Sequence, residues 1–354
     1  MLSRKMKASA RQRTVVEPRM GLMPMRAPAA RLQASFWGEA PRRRRARTGS
    51  AMRRYAQLCF GIVRVCITDK RIDCGRWADD SLRSMQRVVE VGLVIFFRSV
   101  TRIVLVVCTF AMGFAELLIT RPATRELRAD WLHRFCKAAT KRFGIEITLV
   151  GTFPERGALI TNHQSYIDIL VLAALHPCVF VSKAEIAKWP VVGWMTTMAG
   201  TLYVHRGRGG SADRARAGMQ EVADEGLPVV FFPEGTTTNG QEVLKFHSGI
   251  LAQAMLVDEP VTAGYIEYSL GEGNAPGASV ADDVAFWGDE TMWPHMWRFV
   301  GLRNVKAQVR FANGPIVFSS DVLHRKQVAV EARAAVMALA PAGIPAEAPV
   351  SEAV

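Results

Sequence analysis

Short apolar runs punctuate the second half of the chain at a length that suits strands. Ile145 to Val150, Ala158 to Thr161, Cys178 to Ser182, Thr201 to His205, Leu227 to Phe232, Val261 to Tyr268 and Val305 to Phe311 each span four to eight residues. Stretches of helical character lie between them. Alternation of this kind predicts an α/β domain with a mixed, largely parallel sheet flanked by helices, and leaves strand order open. An amphipathic helix is expected over Thr124 to Lys141, where Trp131, Leu132 and Phe135 cluster, and a polar one over Ala212 to Asp224 with Ser211 as its N-cap.

Upstream, Val88 to Ile119 is mostly apolar, but Arg98 and Arg102 divide it into runs of ten and seventeen residues. As a helix the longer run measures about 25 Å, short of a hydrocarbon core of about 30 Å. An arginine at the bilayer centre costs about 2.5–3.5 kcal/mol on insertion scales, which disfavours one continuous helix centred on the two arginines. Basic residues also flank the longer run on both sides. The pattern therefore predicts that residues 88–119 embed in one leaflet or form a short re-entrant hairpin, holding the α/β domain against the cytoplasmic face; a buried core helix is the alternative.

Charge sharpens the division of the chain. The net charge is +13, yet residues 1–55 alone carry fifteen Lys or Arg against Glu17 and Glu39, so the remaining 299 residues hold thirty of each sign. The body is neutral and the basic character belongs to an arm, predicted to be disordered. That arm is a solvated tail, an extension preceding a start near Met52, or a segment attracted to anionic lipid head groups at about 1 kcal/mol per basic residue; a transit peptide would share its composition. A neutral body lacks the basic stripe of a nucleic-acid-binding protein. Six cysteines without a Cys-x-x-Cys pair fit reduced thiols and argue against a zinc site. The expected organisation is a basic arm at 1–55, a membrane-associated helical segment at 88–119, the α/β domain at 120–340 and a disordered tail at 341–354.

The candidate chemistry sits where apolar runs end. Asn162-His163-Gln164-Ser165-Tyr166-Ile167-Asp168 joins a predicted strand to a predicted helix, with an imidazole and a carboxylate five residues apart. In such a turn Asp168 can accept the proton of one ring nitrogen and fix the tautomer, leaving the other nitrogen to take a proton from a bound hydroxyl. The spacing alone equally fits a polar helix cap. Further on, Phe232-Pro233-Glu234-Gly235-Thr236 follows a buried run, and its Pro and Gly shape a tight turn predicted to leave Glu234 and the Thr236 hydroxyl facing the site. Arg206-Gly207-Arg208-Gly209-Gly210 precedes a helix start, a combination suited to phosphate or to a plain solvated turn. Lys183, after the third strand run, either adds positive charge beside such a phosphate or is an ordinary surface lysine.

Together these strings resemble the glycerolipid acyltransferase family typified by 1-acylglycerol-3-phosphate acyltransferases. The first string matches the block whose His and Asp are catalytic, which implies those roles for His163 and Asp168. Tyr203-Val204-His205-Arg206 resembles the second block, implying that Arg206 helps bind the acceptor's phosphate. Phe232 to Thr236 resembles the third, implying that Glu234 and Gly235 help hold the glycerol part, and Pro260-Val261 resembles the fourth. Ser182-Lys183-Ala184-Glu185 and the stretch from Trp189 to Trp194 belong to the same resemblance, which runs from about residue 125 to about residue 320. One departure stands out: many members follow the third block with an Arg, where this chain has Thr237.

The resemblance implies transfer of a fatty acyl group from an acyl carrier protein or coenzyme A thioester to the free hydroxyl of a lyso-lipid at an anionic membrane surface, with no metal or tightly bound cofactor. The acceptor expected first is 1-acylglycerol-3-phosphate, with lyso-ornithine lipid as the alternative. A rival of another class is a lipid-binding membrane protein without catalysis, disfavoured by the presence of both His163 and Asp168. A lipase is disfavoured because the chain offers no Gly-x-Ser-x-Gly elbow.

Overall fold

The computed structural model describes residues 74–342 except 190–191 and 206–209, with side chains from Leu93 onward, Ile95 excepted. The basic arm, Arg206 and residues 343–354 lie outside the described residues.

Among the described residues, seven strands form one sheet in the order β1-β7-β6-β2-β5-β3-β4. They are β1 (Ile145–Val150), β2 (Ala158–Ile160), β3 (Val179–Lys183), β4 (Leu202–Val204), β5 (Val229–Phe231), β6 (Val261–Leu270) and β7 (Val305–Phe311). Only the β6–β7 pairing is antiparallel; the others are parallel. Each expected strand is present with its ends moved by two residues at most, and the mixed, largely parallel sheet is observed.

The central strands read as nearly continuous apolar runs because both sheet faces are covered. Leu159, Phe180, Val230 and Ile266 enter one core with α2 (Arg125–Phe143), α3 (Ile167–Leu175) and α7 (Met292–Gly301). Their neighbours Ile160, Val179, Phe231 and Tyr265 enter the other, with α5 (Ser211–Asp224), α6 (Ser248–Met255) and α8 (Arg325–Met337). A remaining short helix, α4 (Val192–Met198), leads into β4. Thr124 caps α2, its hydroxyl accepting from the Leu127 N–H, and Gly144 ends the helix in the left-handed region at φ 72°. Trp131 and Phe135, from the expected cluster, stack at 5.3 Å inside the first core.

Two local expectations change. α5 begins at Ser211 with Gly210 as its cap, and the Ser211 hydroxyl accepts from the His205 N–H, so it ties the helix start to the end of β4. Upstream, α1 runs unbroken from Cys74 to Thr120, 47 residues, so no hairpin reverses within 88–119. The arginines do not break it, because both turn toward the end of α7. Arg98 donates to the Gly301 carbonyl at 2.6 Å, and Arg102 donates to Val300 at 3.1 Å and to Leu302. Those carbonyls at the C-terminal end of α7 have no intrahelical partners and carry partial negative charge. Ser99, Val106, Thr109 and Leu117 form the packed face of α1, while Val94, Phe97, Val104, Val107 and Met112 are exposed on the other. Among the described residues, Phe96–Thr120 is long and apolar enough to cross a membrane.

Candidate active site

β2 stops at Ile160 while its parallel neighbour β6 continues to Leu270. Beyond that point the backbone groups on the β2 side of β6 would be left without partners. Asn162 replaces the missing strand: its amide donates to the Ile266 carbonyl at 2.9 Å and accepts from the Ile266 N–H at 2.8 Å. Gln164 adds a bond to the same carbonyl at 2.7 Å. The string from Asn162 to Asp168 is thereby fixed against β6, at the carboxyl end of β2, where ligands sit in open α/β sheets.

Asp168 lies in the first turn of α3 with its side chain 0% exposed. Its Oδ2 accepts from the backbone N–H groups of Gln164 at 2.7 Å and Ser165 at 3.0 Å, and from His163 Nδ1 at 2.8 Å. Its Oδ1 accepts from the Tyr268 hydroxyl at 2.7 Å. Both oxygens of the carboxylate thus act as acceptors, at the N-terminal end of a helix. With Nδ1–H given to Asp168, the Nε2 lone pair of His163 is left for a substrate proton. The imidazole is 16% exposed and stacks on Phe232 with centroids 3.8 Å apart.

The backbone of His163 is clamped from both sides by the third string. Its N–H donates to Glu234 Oε1 at 2.7 Å, and its carbonyl accepts from the Thr238 N–H at 2.9 Å. Glu234 Oε2 accepts from the Leu244 N–H at 2.7 Å, and Arg333 of α8 holds the same segment by donating to the Val243 and Leu244 carbonyls. The Glu234 side chain, expected to face the site, is instead turned inward onto backbone donors. It is 2% exposed and its two oxygens are engaged by backbone donors. Burial pushes its carboxyl up to about 8, against the Leu244 and His163 N–H groups, which pull it down. Gly235 makes the turn at φ 66°, in the left-handed region, and the next side chain, Thr236, points to solvent.

Lys183, another expected site residue, lies apart from this centre. It ends β3, two strands from β2, and is half-buried. Arg206 falls outside the described residues. Asn162, Gln164, Thr238 and Tyr268 carry geometry that sequence reasoning did not assign. A Tyr in a strand buried on both faces signals a hydroxyl that must find a partner, and that signal was present at Tyr268.

A histidine oriented by a buried carboxylate, at the carboxyl ends of parallel strands, defines a site that can deprotonate a hydroxyl. The Acyltransferase family profile matches residues 145–267. A lyso-ornithine lipid O-acyltransferase of Pseudomonas aeruginosa is 33% identical over 222 residues, 61% of this chain and 78% of that protein. A second, of Brucella abortus, is 29% identical over 241 residues, 64% and 90%. A 1-acyl-sn-glycerol-3-phosphate acyltransferase of Neisseria meningitidis is 29% identical over 169 residues, 48% and 64%. The chain belongs to the glycerolipid acyltransferase family and is an O-acyltransferase of the lysolipid type.

Proposed function

We propose that the chain transfers a fatty acyl group from an acyl carrier protein or coenzyme A thioester to the free hydroxyl of lyso-ornithine lipid, with His163 as general base. The observation that carries the reaction type is the 2.8 Å contact from His163 Nδ1 to Asp168, inside a turn clamped at both ends. The acceptor hydroxyl gives its proton to Nε2 as its oxygen attacks the thioester carbonyl. The tetrahedral intermediate collapses to the new ester, expelling the thiolate, which recovers the proton from the imidazolium. Asp168 stabilises the cation between the two transfers. The reaction needs no metal or tightly bound cofactor.

Two observations favour lyso-ornithine lipid over 1-acylglycerol-3-phosphate as the acceptor. The Pseudomonas and Brucella relatives named for it align with larger shares of both chains than the Neisseria one does, and Thr237 stands where a further cation for phosphate is common in the family. The second reading, 1-acylglycerol-3-phosphate, draws on Arg206 and on the Neisseria relative. A panel of both lyso-lipids, assayed with both acyl carriers, tests the choice. A preference for the phosphate acceptor would reverse it.

The apolar outer face of α1 supports attachment to the cytoplasmic leaflet. Its inner face is occupied by the catalytic body, so the helix lies in the membrane plane with only its outer face in lipid. Exposed Trp293 and Trp297 of α7 extend that surface, with the Trp297 ring 6.1 Å from Phe96, as suits side chains at a membrane–water boundary. Carbonate extraction tests the attachment, and release of the protein in soluble form would contradict it.

A further inference from the structure

We propose that Tyr268 is a positioning residue for the acyl transfer: through its hydrogen bond to Asp168 it aligns the carboxylate and sets how basic His163 becomes. The proposal rests on the reading of His163 as general base.

The two carboxylate oxygens of Asp168 are unequally served. Oδ2 receives three donors, His163 Nδ1 and the Gln164 and Ser165 N–H groups, whereas the described donor to Oδ1 is the Tyr268 hydroxyl. Asp168 is fully buried, so water does not replace a missing donor, and an unpaired carboxylate oxygen in such surroundings is costly.

Tyr268 is placed for this task by topology. It lies on β6 past the end of β2, opposite Ala307 of β7, and belongs to the core that contains α3. Two residues earlier, Ile266 is tied to Asn162 and Gln164, so the strand that carries the phenol is registered against the turn that carries His163. Burial and the neighbouring Asp168 charge hold the phenol well above its ordinary range, so it remains a neutral donor wherever the enzyme works.

The chemical consequence has a sign. A donor on Oδ1 draws off part of the carboxylate's charge, so Asp168 pulls less strongly on the imidazole proton. Removing that donor makes Asp168 a stronger acceptor and raises the affinity of His163 for protons. The acid limb of the rate profile then moves to higher pH.

Tyr268→Phe keeps the ring and removes the hydroxyl. In the full chain, in its membrane or detergent environment, kcat is expected to fall about ten- to a hundredfold, the range for losing a hydrogen bond to a charged group. KM for acceptor and donor should stay within about twofold, since Tyr268 contacts neither in this account. The acid limb of kcat/KM should shift upward. Its position does not depend on how much of the variant is folded, so partial misfolding leaves the test intact. In an Asp168→Asn background the phenol loses the charge it acts on, so Y268F should add little further loss. A wild-type kcat with an unmoved acid limb, or losses that multiply in the double variant, would overturn the proposal. Full activity of His163→Ala would instead sink the general-base reading beneath it, and that control separates the two failures.

Discussion

The Glu234 carboxylate stands 2.7 Å from the backbone nitrogen of His163, so the third sequence string acts on the base through its main chain. Its second oxygen takes the Leu244 N–H, also at 2.7 Å, and the side chain is closed to solvent. Glu234→Ala leaves two part-buried N–H donors without their partner, at up to about 1–3 kcal/mol each, and frees the turn that carries the imidazole. We expect kcat to fall at least tenfold while KM for the acceptor stays near wild type. A variant with raised KM and normal kcat would instead mean that Glu234 holds the acceptor.

Much of the fold was legible because the central strands are short apolar runs with turn residues at each end, and all seven were visible. The pairing of His163 with Asp168 was legible for a related reason: a strand-to-helix turn brings residues five apart together through local geometry. What was hidden depends on distant partners. Glu234 looked like a site-facing carboxylate because nothing local reveals that His163 and Leu244, 71 and ten residues away, supply its donors. Arg98 and Arg102 looked like interruptions because their acceptors lie about 200 residues downstream, at the end of α7.

Those arginines make α1 part of the catalytic body. Arg102→Ala removes donors to the Val300 and Leu302 carbonyls, bonds of a charged group worth about 1.5–3 kcal/mol each at most. The expected result is a lower thermal midpoint in detergent and faster proteolysis near residues 298–304. Unchanged values for both would show that α1 docks without this contact.

His295 gives the fold a sensitivity to acid. It is fully buried, its Nε2–H donates to the Ala285 carbonyl at 3.0 Å, and its Nδ1 accepts from the Tyr166 hydroxyl at 3.1 Å. Burial lowers its affinity for protons from the ordinary value of 6.5. The folded state then binds fewer protons than the unfolded one, so this stability is full above pH 6.5 and lost as pH falls through the folded value. Denaturant midpoints measured from pH 7.5 to pH 5 should fall more steeply for wild type than for His295→Gln. Parallel curves would contradict the assignment.

Placing α1 in the membrane plane makes its outer face the part that meets lipid. Phe97 and Val107 are about two-thirds exposed, so charges there spare the protein core. Phe97→Asp with Val107→Asp costs up to about 2.5–3.5 kcal/mol per site if both enter hydrocarbon. The double variant is expected in the soluble fraction after carbonate treatment, still folded by thermal melt. Retention on the membrane at the wild-type level would mean that another surface provides the attachment.

The central claim is that His163, oriented by Asp168, deprotonates the acceptor hydroxyl. Its most direct test is the single-turnover rate of acyl transfer to lyso-ornithine lipid by wild type, His163→Ala and Asp168→Asn, each confirmed as folded. General base catalysis is typically worth about 10²- to 10⁴-fold, so H163A should lose about that much in rate, with D168N losing less because its amide still orients the ring. Transfer by folded H163A at the wild-type rate would contradict the account.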